Sequence, residues 1–206
     1  MNGPSRSARQ WLLDAQPKDT RQFSFKTRLL ACLDEGFDGP EEETAWAACV
    51  LAFVSVCNNH YGIGALIVDD VFHIVSHGHN EVCGPPFRSD AHAEMVVLDD
   101  FERKHPDRRK DKLTLYTSLE PCPMCYTRIL ISGISRVLYV AEDDLGGMTR
   151  RGHLMPAYWR EMENRCVFTQ VKARPPLRDI SLEILYSNMT GLQHEVKLAP
   201  FTWQGE

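Results

Sequence analysis

The chain has 206 residues, 43% apolar and 25% charged, which supports one domain with trimmings or two very small ones. With 23 Lys and Arg against 28 Asp and Glu its net charge is −5, so no overall field draws nucleic acid or an anionic membrane, and a polybasic coating role is excluded. The longest apolar run, Ala45 to Cys57, is broken only by Ser55 and falls short of the roughly 18 to 20 residues that span a bilayer, so it reads as a core helix.

In chain order, residues 1–40 hold two apolar clusters among Pro4, Pro17 and Pro40, which predicts two short helices forming an appendage. Met1 to Gln10 is polar and lacks the apolar segment of a secretory signal, and the cytoplasm is the expected compartment. Seven scattered cysteines point to reduced thiols or metal ligands rather than a disulfide framework. Asp34 to Glu43 carries six acids in ten residues; those before the core helix suit its N-terminus, and the rest reads as solvated surface.

From Tyr61 the period changes. Ile63 to Val68, a turn at Asp69-Asp70, and a return over Val71 to Val75 predict a β-hairpin. Ser89 or Asp90 is placed to cap a helix carrying Met95 to Phe101. Leu113 to Thr117 reads as a buried strand, Pro121 to Ile131 as a helix stopped at Gly133, and Val137 to Ala141 as a strand. A helix over Ala157 to Met162, a strand over Cys166 to Val171 and a helix over Ile180 to Tyr186 complete the series. Alternating strands and helices argue an α/β fold with helices on both faces of one sheet.

The chemistry gathers in two packets, His92-Ala93-Glu94 and Pro121-Cys122-Pro123-Met124-Cys125, each opening a predicted helix. Cys122 and Cys125 are i and i+3, so their sulfurs share one face of a first helical turn, and a helix N-terminus favours the thiolates that bind zinc. Two sulfurs and one imidazole leave the fourth corner of a tetrahedron for water, and Glu94 beside it can carry that water's proton. On an ideal helix positions 92 and 94 lie about 200° apart, so periodicity alone does not bring both to one metal. The rival is a closed structural site with Cys83 as fourth ligand.

His92-x-Glu94 with Pro121-Cys122-x-x-Cys125 resembles the signature of the zinc-dependent cytidine deaminase superfamily. Tyr61 to Val68, Gly78-His79-Asn80, Thr117 to Glu120 and Gly133 to Val137 are similar to the branch of tRNA adenosine deaminases and bacterial guanine deaminases, over about residues 44–145. The resemblance implies a three-layer α/β/α fold around a mixed sheet of about five strands, and one zinc (Zn2+) held by His92, Cys122 and Cys125. It makes Glu94 the proton shuttle, places Asn80 and the backbone at Ala93 against the substrate ring, and implies a homodimer. Domains are expected at 1–40 (helical extension), 41–172 (zinc deaminase) and 173–206 (C-terminal extension packed on it). Arg150 and Arg151 follow the last matched strand and are candidates to anchor an acidic substituent. Glu120 has no derivable role. Trp159 reads as packing.

The expected activity is hydrolytic release of ammonia from a free nucleobase, nucleoside, nucleotide or similar amino-heterocycle. The alternatives are a nucleic-acid deaminase acting on tRNA adenosine and a non-catalytic zinc-stabilised interaction module. Charge argues against nucleic acid as a partner. The one basic cluster, Arg103 to Lys112, holds six bases against Glu102, Asp107 and Asp111, and reads as a solvated loop.

Overall fold

The protein is described here from a computed structural model, over residues 3–195. Its elements in chain order are α1 (Pro4–Asp14), α2 (Thr20–Glu35), α3 (Pro40–Cys57), β1 (Gly64–Val68), β2 (Ile74–His79), α4 (Ala93–Lys104), β3 (Thr114–Leu119), α5 (Pro123–Ser132), β4 (Arg136–Ala141), a 3-10 turn (Thr149–Leu154), α6 (Ala157–Glu163), β5 (Val167–Gln170), α7 (Pro175–Tyr186) and α8 (Met189–Glu195).

The strands form one mixed sheet in the order β2-β1-β3-β4-β5. β1 runs antiparallel to β2 and β3, while β3, β4 and β5 run parallel. Alternation along β1 builds the two cores: Leu66 and Val68 pack towards α1, α2, α3 and α7, and Ala65 and Ile67 towards α4 and α5. This is the expected three-layer α/β/α arrangement. Ala45 to Cys57 lies within α3, apolar on all sides because the sheet covers one side and helices cover the rest. Each fully buried Leu or Phe there contributes about 1.5–3 kcal/mol. Among the described residues no helix is long and apolar enough to cross a membrane.

Local chemistry moves two predicted features. The hairpin turn is longer than Asp69-Asp70, because the Asp69 carboxylate accepts from the amides of Val71 and His73 and holds Phe72 in the left-handed region. The return strand therefore starts at Ile74. Helix α4 begins at Ala93 with His92 in the cap position, not at Ser89 or Asp90. The acids expected at the N-terminus of the core helix, Glu41, Glu42 and Glu43, stand in the first turn of α3 and also make long-range contacts. Glu42 is buried and accepts from the Asp38 amide and from Arg174 at the start of α7. Glu43 accepts from the Ser5 amide of α1, and Glu41 pairs with Arg136 of β4. The three acids thus tie α3 to three other elements. Gly133, at φ 85°, ends α5 in the left-handed conformation expected of it.

Candidate active site

Two helix N-termini and two strand ends converge at one side of the sheet. His92 sits in the cap position of α4, and Cys122 in that of α5, three residues beyond the end of β3. Asn80 follows directly on β2. Pro123 occupies the first turn of α5, where no amide donor is needed.

One donor atom from each of His92, Cys122 and Cys125 lies within 4.8 Å of the others, and His92 Nδ1 stands 3.6 Å from Cys122 Sγ. A tetrahedral zinc with bonds of about 2.0–2.3 Å has ligand-to-ligand edges of about 3.3–3.8 Å, so the set fits zinc with three protein ligands. Cys83 is not in the set, and the closed four-ligand alternative loses its fourth member. Without metal, hydrogen bonds from Cys125 and His92 pull the Cys122 thiol down to about 4, while its bond to Cys122 together with burial pushes Cys125 well up. The N-terminus of α5 favours that thiolate further.

Glu94 turns in from the first turn of α4 and is 3% exposed. Thr117 Oγ1 of β3 donates to one carboxylate oxygen at 3.2 Å, and Cys125 Sγ stands 3.3 Å from the other. Burial, with the nearby Cys122 charge second, raises its pKa above that of an ordinary glutamate. Such a carboxyl is tuned to hold and release a proton.

His92, Glu94 and Cys122 open onto a cavity of about 280 Å³, with Tyr61, Ile63, Asn80, Leu119, Glu120, Asp143, Leu185 and Met189 around it. Asn80 is 1% exposed, and its carboxamide oxygen accepts from the Val82 amide. A larger cleft of about 1120 Å³ over the outer edge of β2 holds neither Glu94 nor any of the three zinc-type ligands. The chemistry therefore belongs to the smaller cavity.

Not every expected site residue arrives there. Ala93 is fully buried in the core under α4 and contributes nothing to the cavity wall. Arg150 and Arg151 also lie outside the wall. Arg150 pairs with Glu120, Glu142 and Asp144, and Arg151 donates to the backbone carbonyls of Gly147 and Asp144. Both brace their own loop.

Glu120 explains why Arg150 is recruited. Its buried carboxylate also accepts from Thr149 Oγ1 at 2.7 Å and the Asp143 amide at 3.1 Å. Burial alone would raise its pKa, but these donors and Arg150 hold it below the ordinary value. Glycine at 147 is required, since a Cβ there would stand 2.6 Å from the Asp143 backbone carbonyl and collide with the Glu120 carboxylate. With Met148 N–H donating to Pro121 C=O, the 143–151 loop is clamped over the cysteine turn. Trp159 packs against the α4–α5 core, as expected.

Sequence reasoning missed Asp143, Leu185 and Met189. The first is one acid among several, and the others carry only the apolar signal of any core helix.

Residues 41–141 match the family model described as the cytidine and deoxycytidylate deaminase zinc-binding region, and this part of the chain belongs to that family. The tRNA-specific adenosine deaminase of Bacillus subtilis is 37% identical over 102 residues, covering 50% of this chain and 61% of that one. The cytosine deaminase of Candida albicans is 36% identical over 76 residues, covering 37% and 49% respectively. The chain thus spans about half to three fifths of these relatives. A structure solved in work on A-to-I editing by tRNA:A34 deaminases is 26% identical with a TM-score of 0.55, covering 67% of this chain and 95% of that one.

Proposed function

We propose that this chain is a zinc-dependent hydrolytic deaminase acting on a free amino-heterocycle of nucleobase type. The observation that carries the reading is the cavity itself. It brings buried Glu94 beside three donors that suit zinc, and among the described residues no Lys or Arg lines its wall. A substrate bearing phosphate would find no cation there.

When bound, zinc supplies the acidity that makes water a nucleophile near neutral pH. Glu94, one of its oxygens fixed by Thr117, would accept a proton at the carboxylate and pass it to the departing amine. Asn80, its oxygen engaged by Val82, presents the Nδ2 protons to a ring acceptor. Ile63, Leu119, Leu185 and Met189 give an apolar face against which a flat ring excludes water.

A second reading, deamination of adenosine within tRNA, is favoured by the relatives acting on tRNA at 37% and 26% identity. The six bases of the 103–112 run speak against it here, since each is paired with an acid, from Arg103 and Lys104 on Asp100 to Lys112 on Asp70. A homodimer is inferred from the family resemblance. Exposed Met124 and Ile131 on α5 offer it an apolar surface, and light scattering at micromolar concentration tests it.

The deciding experiment is an ammonia-release screen of the zinc-loaded protein over purines, pyrimidines and pterins, their nucleosides and nucleotides, with a tRNA anticodon stem-loop as the competing substrate. Release from a free ring supports the proposal. Conversion of adenosine to inosine in RNA alone replaces it with the second reading.

A further inference from the structure

The part of the cavity wall farthest in sequence from the zinc signature is supplied by the C-terminal helices, beyond the stretch that matches the family. Leu185 is buried near the end of α7 in a small cluster with Leu119 and Ala141, and Ile63, Leu182 and Met189 pack against it. This wall is held in place from behind. Ser181 of α7 donates to the Ser118 carbonyl of β3, and Arg28 of α2 pairs with Glu183 at 2.6 Å. At the α7–α8 joint, Arg21 donates to the Ser187 carbonyl at 3.1 Å and Asn188 Nδ2 to the His60 carbonyl at 2.8 Å. Met189 follows immediately, so the joint sets where its side chain stands.

The polar groups of the cavity are largely committed elsewhere. The Glu120 carboxylate already serves Thr149, Arg150 and the Asp143 amide, and Asp143 Oδ1 accepts from the amides of Leu145 and Gly146. His92 and Cys122 are zinc-type ligands. What is left suits one ring and its amino group. Among the described residues, Leu185 and Met189 offer the hydroxyls of a sugar no partner for the water they would lose.

We propose that Met189, with Leu185 behind it, is the specificity-determining wall of this site, admitting a flat free base and disfavouring the same ring carrying ribose. The proposal rests on the deaminase reading above. It is tested on the zinc-loaded full chain by comparing kcat/KM for the base that releases ammonia fastest with that for its nucleoside. In Met189→Ala the nucleoside-to-base ratio is expected to rise at least about tenfold, the effect of removing pocket atoms that a competing substrate would need to displace. Met189→Phe is expected to lower the ratio, and Met189→Leu, which keeps apolar bulk, to leave it unchanged. Leu185→Ala is the second variant with an expected rise, and zinc content and Tm report whether each protein is folded. A ratio within twofold of wild type in folded Met189→Ala and Leu185→Ala, or a wild-type preference for the nucleoside, overturns the proposal while leaving the deaminase reading intact. If wild type releases ammonia from no free ring or nucleoside, the deaminase reading fails and this inference falls with it.

Discussion

The zinc corner of the cavity and its far wall come from different parts of the chain. His92, Glu94 and Cys122 stand at helix N-termini and Asn80 at a strand end, all within residues 41–141, each fixed by backbone geometry and a short list of polar contacts. Leu185 and Met189 come from α7 and α8, are apolar, and are positioned by packing and by hydrogen bonds made behind them. Reaction chemistry needs particular atoms at particular distances, whereas the shape of a pocket needs only bulk in the right place. The first region should therefore tolerate almost no substitution, and the second should change preference while leaving chemistry intact.

The largest effect expected from breaking the first region is at Cys122. Cys122→Ser removes one of three protein ligands, so the protein should lose its stoichiometric zinc and all measurable turnover, read by metal analysis and ammonia release. Full zinc occupancy in that variant would rule out the ligand set. Glu94→Gln comes next. It removes the proton carrier and keeps the side chain's shape, so zinc and fold should persist while turnover falls at least about a hundredfold. Undiminished turnover would exclude Glu94 as the proton carrier. Turnover absent from wild type as well, with zinc bound, would instead favour a zinc-stabilised interaction module.

The same contrast governs what was legible in the sequence. Thiols at i and i+3 on a helix start share one face, so the spacing of Cys122 and Cys125 suits a metal, but only the resemblance joins His92 and Glu94 to them. Asn80 was legible only through resemblance, because an asparagine after a strand is equally a turn residue. Arg150 and Arg151 lie outside the cavity lining for a physical reason. In the sequence two arginines beside a matched strand look available, but Glu120 lies 30 residues away from Arg150 and claims it only once the chain has folded. Glu42 is legible as a first-turn acid of α3, but its pairing with Arg174 is not, since that partner is 132 positions distant. Long-range ion pairs between α3, the loop after β4 and α7 leave no periodic trace.

The loop joining the two regions should respond in stability more than in rate. Arg150→Ala leaves buried Glu120 with Thr149 and the Asp143 amide, and because Arg150 is partly exposed the loss should be about 1 kcal/mol, with KM near the wild-type value. Glu120→Gln should show the matching pH signature in urea melts. The folded state depresses the pKa of Glu120, so the stability its charge contributes is fully present above the ordinary glutamate value of about 4.3. It is lost as pH falls through and below that value towards the folded pKa. The gap between wild type and Glu120→Gln should therefore be widest above about pH 5 and close in acid. A gap that widened in acid would mean that Glu120 is held protonated in the folded protein.

The smallest expected effect is that of salt, and it bears most directly on what the cavity accepts. If the reacting molecule is a neutral ring held by Asn80, Glu94 and an apolar wall, binding releases no counterions, and log kcat/KM should be almost flat against log salt concentration. A tRNA substrate would instead show a negative slope, about −0.7 to −0.9 for every phosphate neutralised. The bases from Arg103 to Lys112 are paired to Asp69, Asp70, Asp100, Glu102 and Asp111, and none of them lines the cavity. Breaking those pairs in the variant Asp100→Asn would free Arg103 and Lys104 without touching the zinc corner. If the protein acts on free rings, that variant should keep the flat profile and the wild-type kcat/KM. A steep profile in wild type that steepens further in Asp100→Asn would mean that this face meets a polyanion, and would move the substrate from free base to tRNA.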